Sequence, residues 1–255
     1  MVPTWWLCFF VDKHLEIWDY KAQPIKLSQG YFMKKSKNPI EAICVLLKQP
    51  KMLRRIVMTV FGVLICGASC GIFKASALGV DPFQVFCWGM TNVVPIPFGT
   101  LYTIINIVLL CAMLIADRHY VGLGTLINLF LLGYVVQWST GLVTALFPNP
   151  SLPVRVALLL VAIPIMCLSS ALYFTADLGV STYDVWALLL DKKTRFPFRV
   201  LRICTDLCCV VAGFLLLGLR PAGVLGVGTI ITALFMGPLV DFFNRKVARP
   251  LLAYE

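Results

Sequence analysis

Charged side chains are scarce in this sequence. Asp, Glu, Lys and Arg make up 13% of the 255 residues, against about 25% in ordinary soluble domains. The mean hydropathy is +0.88. Five stretches contain no charged residue, and each is near or above the roughly 18 to 20 residues that cross a bilayer as a helix. These stretches are 56–73, 98–116, 119–154, 156–176 and 221–240. A soluble domain is therefore excluded, and the sequence predicts an integral membrane protein.

Histidine is scarce, and several motifs of common enzymes are absent. The two histidines, His14 and His119, lie far apart and give no metal-binding spacing. The zinc-protease motif HExxH, a phosphate-binding P-loop and a serine–histidine pairing are absent. No soluble region is long enough for a catalytic domain. We therefore expect no enzymatic activity, no catalytic residue, no metal ion and no cofactor.

Ten cysteines are present, but no two of them have the CxxC spacing of metal or redox sites. Most lie within the apolar stretches, and Cys66 and Cys70 are about one helical turn apart. We interpret the cysteines as small apolar residues that pack between helices.

The positive charge is concentrated at a few places. Ten of the 22 Lys and Arg precede residue 56, and further groups lie within 192–202 and 245–249. Basic residues beside apolar spans mark the cytoplasmic side of a membrane protein, so the charge does not require a nucleic-acid partner. With six crossings, all basic residues except Lys74, Arg155 and Arg220 lie on the cytoplasmic side, as do both termini.

Residues 1–51 are predicted to form a basic cytoplasmic tail, which would hold anionic lipid or a partner. Its start, MVPTWWLCFF, lacks the basic region and cleavage site of a signal peptide. Met33 precedes a basic run, and one hypothesis is that it is the natural start, with 1–32 dispensable. Deleting 1–32 is then expected to leave membrane insertion and thermal stability unchanged. Loss of either, measured in membrane fractions and by thermal unfolding, would contradict this.

The two halves of the sequence are similar, in three blocks that follow in the same order. The aligned blocks are ALGVDPFQVF (77–86) with DLGVSTYDVW (177–186), PFGTLYTIINI (97–107) with PFRVLRICTDL (197–207), and GLGTLINLFLLGYVVQW (122–138) with GVGTIITALFMGPLVDF (226–242). This similarity predicts an internal duplication. Repeat 1 covers 52–147 and repeat 2 covers 148–247, followed by a cytoplasmic tail at 248–255.

Each half contains a long span, a short segment after Leu-Gly-Val, a second span and a glycine-rich third span. The predicted spans are 54–76, 98–116, 122–141, 154–176, 198–219 and 224–243. The short segments, 81–96 and 181–190, would reach only about 24 and 15 Å as helices, less than the roughly 30 Å of the hydrocarbon core. We therefore predict that they are re-entrant or interfacial.

The predicted fold is an all-α integral membrane protein. About six transmembrane helices come from two three-span repeats, each with one short re-entrant or interfacial helix. An odd number of crossings per half makes the repeats inverted. If the short segments crossed instead, the repeats would be parallel. Arg118 and Arg155 would then exchange sides and leave the charge balance unchanged, so charge does not distinguish the two topologies.

The pattern LG-x-x-P-[FYW]-[DQ]-V, followed by a PFG turn and by G-x-G-T before a helix that closes with G-P-L, resembles the YczE/YyaS/YitT family of bacterial membrane proteins. The resemblance is strongest to the YczE-like branch and covers about residues 52–247. It is carried by four segments: LGVDPFQV, PFGTLYTIIN, GLGTLINLFLLG and GVGTIITALFMGPLVDFF. The resemblance implies a multi-pass protein of the bacterial cytoplasmic membrane and no particular activity. Position 84 is Gln where the family pattern often has Asp.

The starts of the two short helices are candidate parts of a binding site. Asp81-Pro82 is a helix-start signal, and Ser181-Thr182 supplies the same cap in the second half. In transporters built from inverted repeats, the N-termini of broken helices lie near a central site. Gln84 and Asp184 would project from the first turns into that site, beside Tyr183. Plain capping after a glycine turn is the alternative.

Asp206 is a second candidate, because a carboxylate within a membrane span is costly and commonly functional. The alternative is a structural ion pair with Arg202, four residues earlier on the same helix face. Asn106 occupies the equivalent place in the first half. Asn128 and Gln137, on the third span, line the same pocket or bond to another helix. The predicted substrate-binding residues are Asp81, Gln84, Asn106, Asn128, Gln137, Tyr183, Asp184 and Asp206.

These features favour a small secondary transporter or permease of the bacterial cytoplasmic membrane, whose two halves rock about a central polar site. Its expected partners are the lipid bilayer, a small-molecule substrate, protons and a second copy of the chain. A non-transporting accessory protein that supports a partner complex, or a lipid-handling protein, is the alternative. The sequence does not identify the substrate.

Overall fold

The structure is a computed structural model that describes residues 51–116, 121–179, 181–194, 198–218 and 223–253. The N-terminal tail with His14 and Met33, and also His119, lie outside the described residues. All regular elements of the described part are helices. They are α1 (Met52–Ser76), α2 (Pro82–Val93), α3 (Phe98–Ala116), α4 (Leu123–Leu146), α5 (Leu152–Ala176), α6 (Asp184–Lys193), α7 (Phe198–Leu217), α8 (Val227–Phe243), a π-helical turn (Asn244–Ala248) and α9 (Arg249–Ala253).

Five helices in the described part, α1, α3, α4, α5 and α7, are long and apolar enough to cross a membrane. This confirms the prediction of a helical membrane protein. Helix α8 has 17 residues, so the sixth crossing stays a prediction. Helices α2 and α6 have 12 and 10 residues, which corresponds to about 18 and 15 Å. Helix α2 ends three residues before the predicted boundary, and α6 begins and ends three residues after it.

Helix α1 lies at the centre of the bundle, between α4 and α5. Small residues on α1 allow this close packing: a Cβ on Gly62 would lie 3.2 Å from the main chain of α5. Two hydrogen bonds join α1 to these same neighbours. Ser69 donates to the Ala162 carbonyl at 2.9 Å, and Ser139 of α4 donates to the Gly67 carbonyl at 2.8 Å. Close approach and hydrogen bonding of this kind drive helix association in lipid.

Helices α1 and α5 run antiparallel. Arg55, in the first turn of α1, donates to the Ala176 carbonyl at 3.5 Å and pairs with Asp177 at 3.8 Å, both at the end of α5. Met52 and Leu178 pack together beside them. The start of the first long helix and the end of the fourth therefore lie at the same end of the bundle.

The two Leu-Gly-Val segments make matching contacts with opposite halves of the chain. The Leu178 carbonyl accepts from the Gly124 N–H at 2.7 Å, and the Leu78 carbonyl accepts from the Gly228 N–H at 2.8 Å. Gly124 and Gly228 occupy equivalent places in the aligned G-x-G-T blocks. Each segment thus packs against the start of a helix from the other half.

The glycines of these segments have no room for a side chain. Gly79 and Gly179 have φ angles of +115° and +121°, a backbone region that other residues rarely adopt. A Cβ on either glycine would lie 2.7 Å from a threonine Oγ1, that of Thr229 for Gly79 and that of Thr125 for Gly179. Both features require glycine, and they place the chain for the start of the short helix that follows.

Candidate functional site

The N-termini of the two short helices face each other. The rings of Phe83 and Tyr183 are stacked, with centroids 4.7 Å apart and an interplanar angle of 18°. Tyr102 of α3 contacts Phe83 edge-on at 5.7 Å, and all three rings are buried. Because α2 and α6 both begin here, their free N–H groups and partial positive charges lie around one region of the bundle.

The start of α2 has the predicted cap. The Asp81 carboxylate accepts from the Phe83 N–H at 3.2 Å, and Pro82 is the first helical residue. This geometry fits the preference for Asp as N-cap and Pro at the first position.

The equivalent prediction for Ser181-Thr182 is wrong. Tyr183 occupies the N-cap position of α6, and no side chain caps this helix. The Thr182 hydroxyl instead donates to Asn106 Oδ1 on α3 at 2.5 Å. Both residues are buried, so the hydroxyl satisfies a buried amide oxygen on another helix rather than its own backbone.

Arg202 is the centre of an ionic group beside these N-termini. Its guanidinium pairs with Asp184, in the first turn of α6, and its Nε lies 3.3 Å from Asp206 Oδ1 on α7. The same guanidinium lies over the Tyr183 ring at 4.7 Å. The Tyr183 hydroxyl donates to Asp206 Oδ1 at 2.5 Å. We call Tyr183, Asp184, Arg202 and Asp206 the Arg202 group.

The Arg202 group joins residues that the sequence treated separately. The ion pair between Arg202 and Asp206, which we considered as the structural alternative, is present. It also includes Asp184 and Tyr183, which were predicted as substrate-binding residues. The Arg202 side chain is 29% exposed and the Asp206 side chain 9% exposed. The network is therefore mostly, but not fully, withdrawn from the surface of the described structure.

Asp81 adds a third carboxylate to this region. The charges of both Asp206 and Arg202 act on Asp81, yet Asp81 forms no ion pair among the residues that the structure describes. Among the described residues this region therefore holds three carboxylates, of which two pair with the Arg202 guanidinium. The partial positive charges of the α2 and α6 N-termini offset this excess only in part, at about half a charge each.

The remaining predicted residues have different surroundings. Asn106 is buried, and besides its bond from Thr182 it donates to the Tyr102 carbonyl at 2.8 Å. Gln84 is 4% exposed, and its Oε1 has no hydrogen-bond partner in the described part of the structure. The structure thus places Asn106 and Gln84 next to the helix starts, with one amide satisfied and the other partly unsatisfied.

Gln137 and Asn128 are not brought into the Arg202 group. Gln137 Oε1 accepts from the Gly99 N–H at 2.8 Å and so joins α4 to the start of α3. This contact matches the alternative of a helix-to-helix bond. Asn128 is buried on α4, and among the described residues it forms no hydrogen bond with the other predicted site residues.

The site also contains three residues that were not predicted from the sequence, namely Arg202, Tyr102 and Phe83. The alignment of PFGTLYTIINI with PFRVLRICTDL contained one signal, since it places Tyr102 and Arg202 at equivalent positions. A single charged residue in one half, opposite a polar aromatic residue in the other, indicates an asymmetric site.

The letters GASCG at 67–71 match the G-x-S-x-G pattern of serine hydrolases. Ser69 lies in the interior of α1, is fully buried and donates to the Ala162 carbonyl. A nucleophilic serine of that class lies on an exposed turn between a strand and a helix. The match therefore reflects small residues that pack between helices.

Removing the guanidinium is expected to destabilise the site. The variant Arg202→Gln leaves two carboxylates together, and we expect a loss of about 1–3 kcal/mol, below the value for fully buried pairs because the arginine is partly exposed. Adding Asp184→Asn should recover part of that loss. Thermal and denaturant unfolding in detergent measure both, with Arg249→Gln on the exposed C-terminal helix as the control. An equal loss of unfolding free energy in Arg202→Gln and in the double variant would contradict the interaction between Arg202 and Asp184.

Comparisons with known proteins give relatives along most of the chain. The profile of a family of unknown function (DUF6198) matches residues 53–245. An uncharacterized protein of Haemophilus influenzae is 27% identical over 206 residues, which cover 79% of this chain and 89% of that protein. The uncharacterized protein YyaS of Bacillus subtilis is 26% identical over 196 residues, which cover 75% of this chain and 93% of YyaS.

The uncharacterized membrane protein YczE of Bacillus subtilis is 22% identical over 180 residues, which cover 71% of this chain and 80% of YczE. The resemblance to YczE and YyaS found in the sequence motifs is confirmed. No solved structure matches the chain. The long apolar helices and a relative named as a membrane protein together indicate a multi-pass protein in a lipid bilayer.

Proposed function

The chain belongs to the DUF6198 family of unknown function, and we propose that it is a small secondary transporter rather than an enzyme. The observation that carries the proposal is the stacking of Phe83 on Tyr183 at the N-termini of two short helices, beside the Arg202 group. Transporters built from two related halves bind substrate where the N-termini of broken helices meet polar side chains. The bound substrate would lie between α2 and α6.

The proposed membrane architecture has six crossings, with α8 as the sixth, and two inverted repeats. It is supported by the antiparallel packing of α1 and α5, which are equivalent helices in the aligned halves. The matching bonds of Leu78 and Leu178 to the opposite halves support it as well. In this arrangement α2 and α6 are re-entrant, because each is too short to cross.

The proposed location is the bacterial cytoplasmic membrane, with both termini in the cytoplasm. Arg54 and Arg55 lie in the first turn of α1, and Arg245 and Lys246 follow α8. Met58 of α1 and Ala248 after α8 belong to one buried cluster, so these basic residues lie at the same end of the bundle. Positive charge of this kind favours the cytoplasmic side.

In the proposed mechanism the described conformation is the closed one. On α7, Arg202 pairs with Asp184 of α6, and Asp206 accepts from the Tyr183 hydroxyl at the start of α6, so both residues hold α6 to α7. Tyr183 also packs against Phe83 of α2. A proton on either carboxylate would remove the charge that holds the guanidinium. A substrate group that binds there would do the same, so the two halves could move apart. Protons are therefore the proposed coupling ion.

A second candidate function is a membrane accessory protein that supports a partner complex. One observation favours it: the polar atoms of the Arg202 group satisfy one another, and aromatic rings fill the space between the helix starts. A purely structural network would look the same. This function predicts a partner that copurifies in mild detergent and no flux of any small molecule.

A ligand screen followed by a flux assay tests the transporter proposal. Purified protein is screened for compounds that raise its thermal unfolding temperature, since binding to the folded state stabilises it. We expect at least one such compound, and we expect wild-type protein in proteoliposomes to carry it across the membrane. A screen without any stabilising compound, together with a copurifying partner, would favour the accessory role.

A further inference from the structure

The start of α2 carries two hydrogen-bond acceptors, Asp81 and Gln84, that are not bonded to a positively charged side chain in the described part of the structure. Gln84 Oε1 is buried and has no hydrogen-bond partner among the described residues, and Gln84 is 4% exposed. The Asp81 carboxylate accepts only from backbone N–H groups of α2 and forms no ion pair in the same part of the chain. A buried acceptor without a donor is costly and therefore requires an explanation.

The two acceptors lie on the first turn of the same helix. The Gln84 side chain lies beside the Cys70 thiol of α1. Asp81 and Gln84 occupy the N-cap and third positions of one helix, where side chains lie close enough to share a partner. Asp81 is only partly buried. A ligand would therefore meet the Asp81 carboxylate first, because Gln84 Oε1 is itself buried.

The equivalent position in the second half of the chain binds a cation. Asp184 stands where the alignment has Gln84, and it binds the Arg202 guanidinium, which also lies over the Tyr183 ring. The position equivalent to Arg202 in the first half is Tyr102, which has no positive charge. The second half thus supplies its own cation, Arg202, whereas the first half leaves the acceptors Asp81 and Gln84 without one.

We propose that Asp81 and Gln84 bind the positively charged N–H group of an organic cation, an ammonium or a guanidinium. Asp81 supplies the opposite charge, and Gln84 Oε1 accepts a hydrogen bond. The excess of carboxylates over guanidinium in this region favours a cation over an anion. A hard metal ion needs about six oxygen ligands, whereas Asp81 and Gln84 together supply three side-chain oxygens, so N–H donors fit better.

The inference rests on the proposed function only in treating this cation as the transported substrate. Binding itself is tested on purified full-length protein in detergent, by thermal unfolding against increasing methylguanidinium chloride or methylammonium chloride. Sodium chloride at equal ionic strength and neutral methylurea are the reference solutes. We expect a saturable rise in unfolding temperature with the two organic cations only.

Two variants locate the binding. Gln84→Met removes the unpaired acceptor, so it should raise stability without ligand and weaken cation binding about tenfold or more. Asp81→Asn keeps a capping oxygen but loses the charge, and it should weaken binding at least as much. Gln137→Met is the matched control, because Gln137 bonds to Gly99 outside this place, and its cation affinity should stay at the wild-type value.

Two results of these binding experiments would overturn the inference. One is a rise in unfolding temperature with sodium chloride or methylurea as large as that with the organic cations. The other is wild-type affinity for the organic cation in both Gln84→Met and Asp81→Asn. Flux measurements separate it from the proposed function. Cation binding that depends on Gln84 without flux in proteoliposomes supports the binding place and contradicts transport. Flux of an anion that depends on Asp206, without cation binding, supports transport and overturns the inference.

Discussion

Replacing Asp206 by Asn is expected to abolish transport while the protein stays folded. The variant keeps an oxygen that can accept from Tyr183, and Arg202 keeps its pairing with Asp184. We therefore expect a stability loss of only about 1–2 kcal/mol. Flux in proteoliposomes should fall by about 100-fold or more, because the amide stays neutral and cannot alternate between the charged form that holds the guanidinium and the protonated form that releases it.

The matched control for this variant is Asp177→Asn. Asp177 also pairs with an arginine, Arg55, but at the end of α5 and outside the Arg202 group. This control should transport at the wild-type rate. If Asp206→Asn instead lost expression and thermal stability, and Asp177→Asn did not, the Arg202 group would be a structural ion-pair network and the transporter proposal would lose its central residue.

Adding one methyl group to either Leu-Gly-Val glycine is expected to have the largest effect on stability. In Gly79→Ala or Gly179→Ala, a Cβ would lie 2.7 Å from a threonine hydroxyl, at a φ above +110°. Backbone strain costs about 1–3 kcal/mol, and the clash adds to it, so we expect a loss of about 3 kcal/mol or more in each variant. Denaturant unfolding in detergent measures both.

Two other glycines separate strain from packing. Gly218 has a φ of +65° and open space around its Cβ position, so Gly218→Ala should cost about 1 kcal/mol from strain alone. Gly141 lies within α4 with nothing near its Cβ, so Gly141→Ala should be neutral or slightly stabilising. Losses at Gly79 and Gly179 no larger than the loss at Gly218 would contradict the close packing between the halves.

Local chemistry in the sequence predicted the features that depend on neighbouring residues. Asp81-Pro82 predicted the start of α2 because a cap and its partner are two residues apart. The pair Arg202 and Asp206 was anticipated because residues four apart share a helix face. The spacing of turn signals also indicated that α2 and α6 are short, although α2 has 12 residues where 16 were predicted and α6 begins and ends three residues later than predicted.

Contacts between distant residues account for what the sequence did not predict. Thr182 carries the chemistry of a cap, yet its hydroxyl bonds to Asn106, 76 residues away. Asp184 and Arg202 lie 18 residues apart on different helices, so their pairing depends on how α6 packs against α7. Gln137 was a candidate for the site because it is polar, whereas its place opposite Gly99 is set by the packing of α3 and α4.

Measuring the accessibility of the helix starts is the most direct test of the transporter proposal, because it needs no known substrate. Thr182→Cys places a thiol where α6 begins, and a membrane-impermeant thiol reagent is applied to right-side-out and to inside-out vesicles. Peptide mapping then compares labelling at position 182 with labelling of the native cysteines. We expect modification from both sides, because the two halves of a transporter alternate between open states. Protection from both sides in folded protein would contradict it.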